Sequence, residues 1–276
     1  YPCRPENNFQ PSIEDLAALI TPKTRAIVVI NPNNPTGAVY SAELLAGIAE
    51  LAARHRLVVF ADEIYDQMLY DGARFIPMAT VVHDTLCVTM SGLSKVYRAC
   101  GYRVGWAVLS GNMRVAPDYL ASLELLSSLR LCSNVPAQWA VQTALGGYQS
   151  VKELITPGGR LYESRRAVVA AAASSRFLML APPQGAMYAF VRVRTDELPQ
   201  FDDHTFALDL LERKHVLVAP GVSFNVPYRD HFRVTTLPDS AMLQKVFVRI
   251  EELLGEYVSS PQSTRPTLVE ARQRFK

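Results

Sequence analysis

Cysteine and histidine are scarce in this sequence, four and five among 276 residues. Cys3, Cys87, Cys100 and Cys132 lie far apart, form no C-x-x-C pair and mostly stand in apolar surroundings, which suits reduced thiols in a cytoplasm rather than a disulfide framework. The histidines, at 55, 83, 204, 215 and 231, include no pair at helical ligand spacing, and there is no H-E-x-x-H or Cys/His cluster, so no metal site is expected. An excess of one charge is lacking too. With 28 basic and 26 acidic residues the net charge is +2, which removes the electrostatic reason to expect nucleic acid or a membrane as partner. No apolar segment approaches a membrane span, and the start has neither a basic n-region nor an apolar h-region. Position 1 is not methionine, and a chain beginning Tyr1-Pro2-Cys3 reads as the middle of something processed, trimmed or fragmentary. Internal repeats and low-complexity tracts are absent, and small molecules are the expected ligands.

What is present is 49% hydrophobic residues in an ordinary globular pattern, enough for one large or two modest domains. A short helix over Ile13 to Ile20 is followed by Ala26-Ile27-Val28-Val29-Ile30, a β-branched run of the kind seen in parallel strands buried on both faces. Asn31-Pro32-Asn33-Asn34-Pro35-Thr36-Gly37 then predicts a rigid polar loop, and Ser41 to Arg54 a helix with Ser41 as N-cap. Leu57 to Ala61 and Leu86 to Met90 are further buried strands, broken by Asp62-Glu63-Ile64-Tyr65 and by Ser91-Gly92-Leu93-Ser94-Lys95. Three strands each ending in a polar cluster argue for βαβ crossovers, a largely parallel sheet and three clusters gathered along one sheet edge.

Arg103 to Leu109 predicts another strand, and 113 to 129 and 135 to 148 two helices. A long helix from Arg160 to Ala173 marks a change of domain. Beyond it, strands at Phe177 to Leu180, Met187 to Val193, Val216 to Val218 and Phe232 to Thr235, with helices at Asp203 to Lys214 and Asp239 to Glu256, make a small α+β domain. The expected organisation is a large domain over 1–160, a small domain over 161–258 and a polar tail over 259–276.

Singly, each polar cluster has a plain structural explanation. Lys95 could be a surface lysine in a loop, Asp62 a helix N-cap, Tyr65 core, Asn34 turn chemistry, and Arg103 and Arg233 partners of acidic neighbours. Together they supply what pyridoxal phosphate requires. A lysine amine must condense with its aldehyde, a carboxylate must hold the pyridine nitrogen protonated, and donors must stabilise the phenolate oxygen. Lys95, Asp62, Tyr65 and Asn34 fill these roles. Arg103, Ser91 and Ser94 are available for the phosphate, and Arg233 is a bidentate guanidinium for a carboxylate substrate.

The motifs Asn31 to Gly37, Ala61-Asp62-Glu63-Ile64-Tyr65, and Ser91 to Lys95 followed by Arg103-Val104-Gly105-Trp106 resemble the signature of class I/II pyridoxal-phosphate aminotransferases of fold type I. Gln184-Gly185-Ala186-Met187-Tyr188 and Phe232-Arg233-Val234 resemble that family's small-domain motifs, and the resemblance runs to about residue 257. Arg130 to Gln138 and Ala144 to Tyr148 further resemble bacterial glutamate-pyruvate (alanine) aminotransferases.

The resemblance implies a mostly parallel α/β large domain plus a small α+β domain, and ping-pong transfer of an amino group between L-alanine and 2-oxoglutarate. It also implies a homodimer with sites at the subunit interface. Lys95 would attach the cofactor and shuttle the substrate proton, Asp62 would pair with the pyridinium, and Tyr65 and Asn34 would hold the phenolate. Arg103, with Ser91 or Ser94, would bind phosphate, and Arg233, assisted by Asn34, the substrate carboxylate. Many relatives carry serine where this chain has Gly92. Family members have a further N-terminal portion that this sequence lacks, so the large domain is expected to be incomplete, with apolar edges and faces uncovered. A carbon-sulfur lyase of the same fold, or a non-catalytic module retaining the shell, are the alternative functions.

Overall fold

The computed structural model describes residues 1–259, so the expected polar tail falls, from residue 260 onward, outside the described residues. The chain divides into two compact units. One comprises Tyr1–Thr156 together with Gln184–Ala186, and the other Pro157–Pro183 and the residues from Met187 onward.

In the first unit, α1 (Ile13–Leu19) packs on α2 (Ala42–His55) so closely that a Cβ on Gly47 would lie 2.9 Å from the Ile13 side chain. Ser41 caps α2, its hydroxyl accepting from the Leu44 N–H at 3.2 Å, a contact that contributes about 1 kcal/mol in such positions. The helix buries Leu45, Ile48, Leu51 and Ala52. Strands β1 (Ala26–Ile30), β2 (Val58–Asp62), β3 (Leu86–Gly92) and β4 (Gly105–Gly111) form one sheet in that order, with β1, β2 and β3 parallel and β4 antiparallel to β3. The β1–β2 crossover is helical, as expected. The β2–β3 connection is not: it runs through turns, with Asp71 and Gly72 left-handed, and its helical element is the 3-10 turn Met78–Thr80 just after Pro77.

The expectation that β1 is buried on both faces fails at one residue. Ile27 and Val29 are buried, whereas Val28 is 50% exposed. The same face continues through Phe60, whose ring meets Tyr119 of α3 (Pro117–Arg130) edge-on at 6.1 Å. Helix α3 has no buried residue. Its Leu125, Leu126 and Leu129 are exposed apolar side chains, as is Trp139 of α4 (Val135–Gly146). The cysteines also depart from expectation. All four are free, but Cys100 and Cys132 are exposed and Cys87 alone is fully buried. Helix α5 (Val151–Ile155) closes the unit.

The second unit sets α6 (Arg160–Ser174), α7 (Asp203–Lys214) and α8 (Ser240–Ser259) with an antiparallel sheet ordered β5 (Leu178–Met179), β6 (Tyr188–Val193), β8 (His231–Thr235), β7 (Ala219–Pro220). Its core joins Val191, Phe206, Phe232, Phe247 and Leu254, each worth about 1.5–3 kcal/mol when fully buried. The predicted strand at Val216 to Val218 is not formed. The left-handed His215 ends α7, and the chain then runs unpaired, with Leu217 exposed, until Ala219 meets Arg233.

At the end of β2, Glu63 ties two elements together. Its N–H donates to the Met90 carbonyl at 2.9 Å, and its Oε1 accepts from the Met78 N–H at 2.7 Å. Burial, with Asp66 and Asp62 nearby, pushes its carboxyl up to about 7. A folded-state value above the usual 4.5 means that the neutral form stabilises the fold, fully so at low pH, and that this stability is lost as pH rises through about 7. Between these limits the unmodified chain should lose on the order of 2 kcal/mol relative to Glu63→Gln, as read by denaturant midpoints. Replacing Leu126, Leu129 and Trp139 with glutamine should lower hydrophobic-dye binding and raise solubility. The denaturation midpoint should change by less than about 0.5 kcal/mol per site.

Candidate active site

The register of the parallel strands aligns the three polar clusters. Ile30 stands opposite Asp62, and Asp62 opposite Met90. Two backbone bonds continue the ladder past the strand ends, Asn31 N–H to the Asp62 carbonyl at 3.1 Å and Glu63 N–H to the Met90 carbonyl at 2.9 Å. The segments bearing Asn34, Asp62 and Lys95 therefore leave the sheet side by side, at the carboxyl end where such sheets do their chemistry.

The loop after β1 spends most of its polarity on itself. Asn31 Oδ1 accepts from the Tyr40 N–H at 3.0 Å. Asn33 Nδ2 donates to the Ile30 carbonyl and to the Tyr40 hydroxyl, and its Oδ1 accepts from the Thr36 hydroxyl at 2.8 Å. Both Asn31–Pro32 and Asn34–Pro35 peptides are cis. From Asn31 to Tyr40 every residue is buried except Asn34, which is half-buried. Tyr40 is deeply enclosed, and burial pushes its hydroxyl well above the usual tyrosine value.

Asp62 ends β2, half-buried, and its Oδ1 accepts from the Ile64 N–H at 3.2 Å, so it caps a turn rather than a helix. Tyr65 is buried. In the lysine segment, buried Leu93 and Val96 pin the chain while Ser94 and Lys95 between them stay half-buried. Among the described residues, neither the hydroxyls of Ser91 and Ser94 nor the amine of Lys95 has a hydrogen-bond or ion-pair partner. A cluster of unspent donors beside a carboxylate fits a phosphorylated aldehyde such as pyridoxal phosphate.

Gly92 has a local cause. It pairs with Gly105 across β3 and β4, and a Cβ there would stand 2.8 Å from the Val104 carbonyl, while one on Gly105 would stand 2.9 Å from the Ser91 carbonyl. No serine fits at position 92 in this backbone. Arg103 lies outside the strand predicted for it, because it takes the left-handed conformation (φ 53°) after the 3-10 turn Cys100–Tyr102. It is exposed and donates to the Cys100 carbonyl at 2.8 Å, not to an acidic neighbour.

Arg233 belongs to the second unit, on β8 between β6 and β7. Its guanidinium carbon lies 4.4 Å from the Tyr188 ring centre and 4.9 Å from that of Phe224. Two aromatic faces orient the planar fork, each worth about 0.5–2 kcal/mol. Sequence reasoning missed Phe224, which sits in the 3-10 turn Gly221–Phe224 with no periodic signal, and it missed Glu63 as a tie between elements. Tyr188 stood in a quoted motif with no role attached.

Known proteins share the sequence pattern and the fold of this chain. The model of the aminotransferase class I and II family matches residues 1–250. Glutamate-pyruvate aminotransferase AlaA of Escherichia coli K12 is 50% identical over 238 residues, covering 86% of this chain and 59% of that protein. Alanine aminotransferase of Mycobacterium bovis is 45% identical over 257 residues, covering 93% and 60%. Among solved structures, an aminotransferase from Escherichia coli superposes with a TM-score of 0.89 at 45% identity, over 95% of this chain and 64% of that one. Alanine aminotransferase from Pyrococcus furiosus gives 0.85 at 35% identity, over 91% and 63%. The chain spans about three fifths of the length of the curated relatives it matches. With its strand-end clusters in the order and register described, this chain belongs to the aminotransferase class I and II family.

Proposed function

We propose that this chain carries much of the active site of a pyridoxal-phosphate-dependent aminotransferase that moves an amino group between L-alanine and 2-oxoglutarate by ping-pong transfer. The observation that carries the reading is the register setting Ile30, Asp62 and Met90 abreast, so that three chemically distinct segments leave one sheet edge together. The activities for which relatives at 45–50% identity are named support the substrate pair. The carbon-sulfur lyase and non-catalytic alternatives have no such support.

When bound, pyridoxal phosphate supplies a protonated ring that accepts electrons from the substrate α-carbon. Lys95 would hold the cofactor and then take and return the α-proton at its Nζ. Asp62 would keep the ring nitrogen protonated, and Tyr65 and Asn34 would donate to the phenolate oxygen. Ser91, Ser94 and Arg103 would bind the phosphate, and Arg233 would grip the substrate carboxylate, its plane set by Tyr188 and Phe224. The chain would work as a homodimer in the cytoplasm, without metal, nucleic acid or membrane. Among the described residues no helix is long and apolar enough to cross a membrane, and no cluster of metal-ligating side chains occurs.

The test is a visible spectrum of the folded chain with pyridoxal phosphate, beside Lys95→Ala, before and after L-alanine. A band that depends on Lys95 and is discharged by L-alanine is the expected result, and its absence overturns the reading. In active protein, Arg233→Lys should raise KM for both substrates by roughly tenfold to a hundredfold, because one ammonium replaces a two-pronged donor.

A further inference from the structure

The tripeptide Gln184–Ala186 belongs to the first unit although the chain on either side of it lies in the second. It is held by five backbone-directed hydrogen bonds. The N–H groups of Gln184 and Gly185 both donate to the Gly37 carbonyl, at 2.8 and 2.9 Å. The Ala186 N–H donates to the Met68 carbonyl and the Tyr70 N–H to the Gln184 carbonyl, each at 2.9 Å, and the Tyr70 hydroxyl reaches the Ala186 carbonyl at 2.9 Å. Gly185 also bridges Leu69. There is no slack. A Cβ on Gly185 would stand 2.7 Å from the Pro32 side chain, and Ala186 is held at φ 60°, a conformation alanine rarely takes.

The two anchors of this strap are the ends of the loops that matter. Gly37 closes the Asn31–Gly37 loop, its own N–H bonded to the Asn33 carbonyl at 2.8 Å, with Asn34 between. Met68 follows Tyr65, its N–H bonded to the Tyr65 carbonyl at 2.8 Å. Asn34 and Tyr65 are thus each three residues from an anchor, on separate segments, and the strap joins the anchors.

We propose that the Gln184–Ala186 strap, locked by Tyr70, is a positioning element that sets Asn34 and Tyr65 relative to each other. This rests on the pyridoxal-phosphate reading for its chemical consequence, since those two side chains are the phenolate donors there. Tyr70 is buried and acts through the strap rather than on the reacting atoms. Loosening the strap displaces one donor from the other, weakens stabilisation of the ionised phenolate and raises the pH at which the bound cofactor ionises.

The experiment compares Tyr70→Phe, which removes one O–H donor, with Gly185→Ala, which drives a methyl toward Pro32 without altering Tyr70. Thr85→Val serves as control, because it removes a buried bond to the Leu57 carbonyl at the opposite end of the sheet. Amide exchange is read on the cofactor-free protein, and the pH midpoint of the visible band on protein mixed with pyridoxal phosphate. The expected result is exchange at Gly37 and Met68 at least about tenfold faster in both strap variants than in the control, a loss of roughly one RT ln 10 of protection. The band midpoint should rise by about one pH unit in the strap variants and not in the control. Unchanged exchange at both amides overturns the proposal, and so does faster exchange with an unmoved midpoint, which would make the strap merely structural. Should Tyr70→Phe fail to fold, Gly185→Ala decides. A missing band in the unmodified chain defeats the cofactor reading instead, and the exchange data still decide whether the strap holds the two loops.

Discussion

The structure depends on the parallel pairing of three short strands and on its continuation one residue beyond the ends of β1 and β2. Parallel ladders offer evenly spaced, slanted bonds, so a one-residue slip would exchange every inward side chain for an outward one. Here the buried set Ile27, Val29, Val59 and Ala61 forbids that slip. With the register fixed, the Asn31 N–H and the Glu63 N–H extend the ladder into the loops, and the chemistry-bearing segments inherit its geometry. The hydrophobic core thus decides the separation of the polar groups at the strand ends.

Polar groups around those segments do little besides hold the backbone. Asn31, Asn33, Thr36 and Tyr40 cross-link one loop, and Glu63 fastens another to the Met78 turn. A rigid scaffold that spends its hydrogen bonds internally leaves, among the described residues, Ser91, Ser94 and Lys95 half-buried with side-chain donors uncommitted, and this is the condition under which a small anionic ligand is bound with little reorganisation.

Much of this was legible in the sequence, because buried strands announce themselves as β-branched runs and their ends as abrupt changes to Asn, Pro, Asp, Ser and Lys. Helix α7 was read to the residue, since Asp202 caps it and the left-handed His215 stops it. What stayed hidden depends on pairing between distant residues. Nothing local says that β4 runs antiparallel, that Gly92 must face Gly105, or that Val216 to Val218 lacks a partner until Ala219. Arg103 was misplaced into a strand because a left-handed arginine carries no compositional mark. The aromatic pair around Arg233 comes from residues 45 and nine positions before it, a coincidence that no window of sequence contains.

The strap has a consequence for inheritance. Because three residues of the first unit are encoded within the stretch that otherwise encodes the second, the two units are not separable cassettes. A recombination event that exchanges everything after Thr156 between two such proteins would give each first unit its neighbour's Gln184–Ala186 equivalent. That foreign tripeptide would have to fit the recipient's Pro32, Gly37 and Tyr70. Successful chimeras are therefore those whose parents agree at these positions, whatever their divergence over the remainder of the second unit.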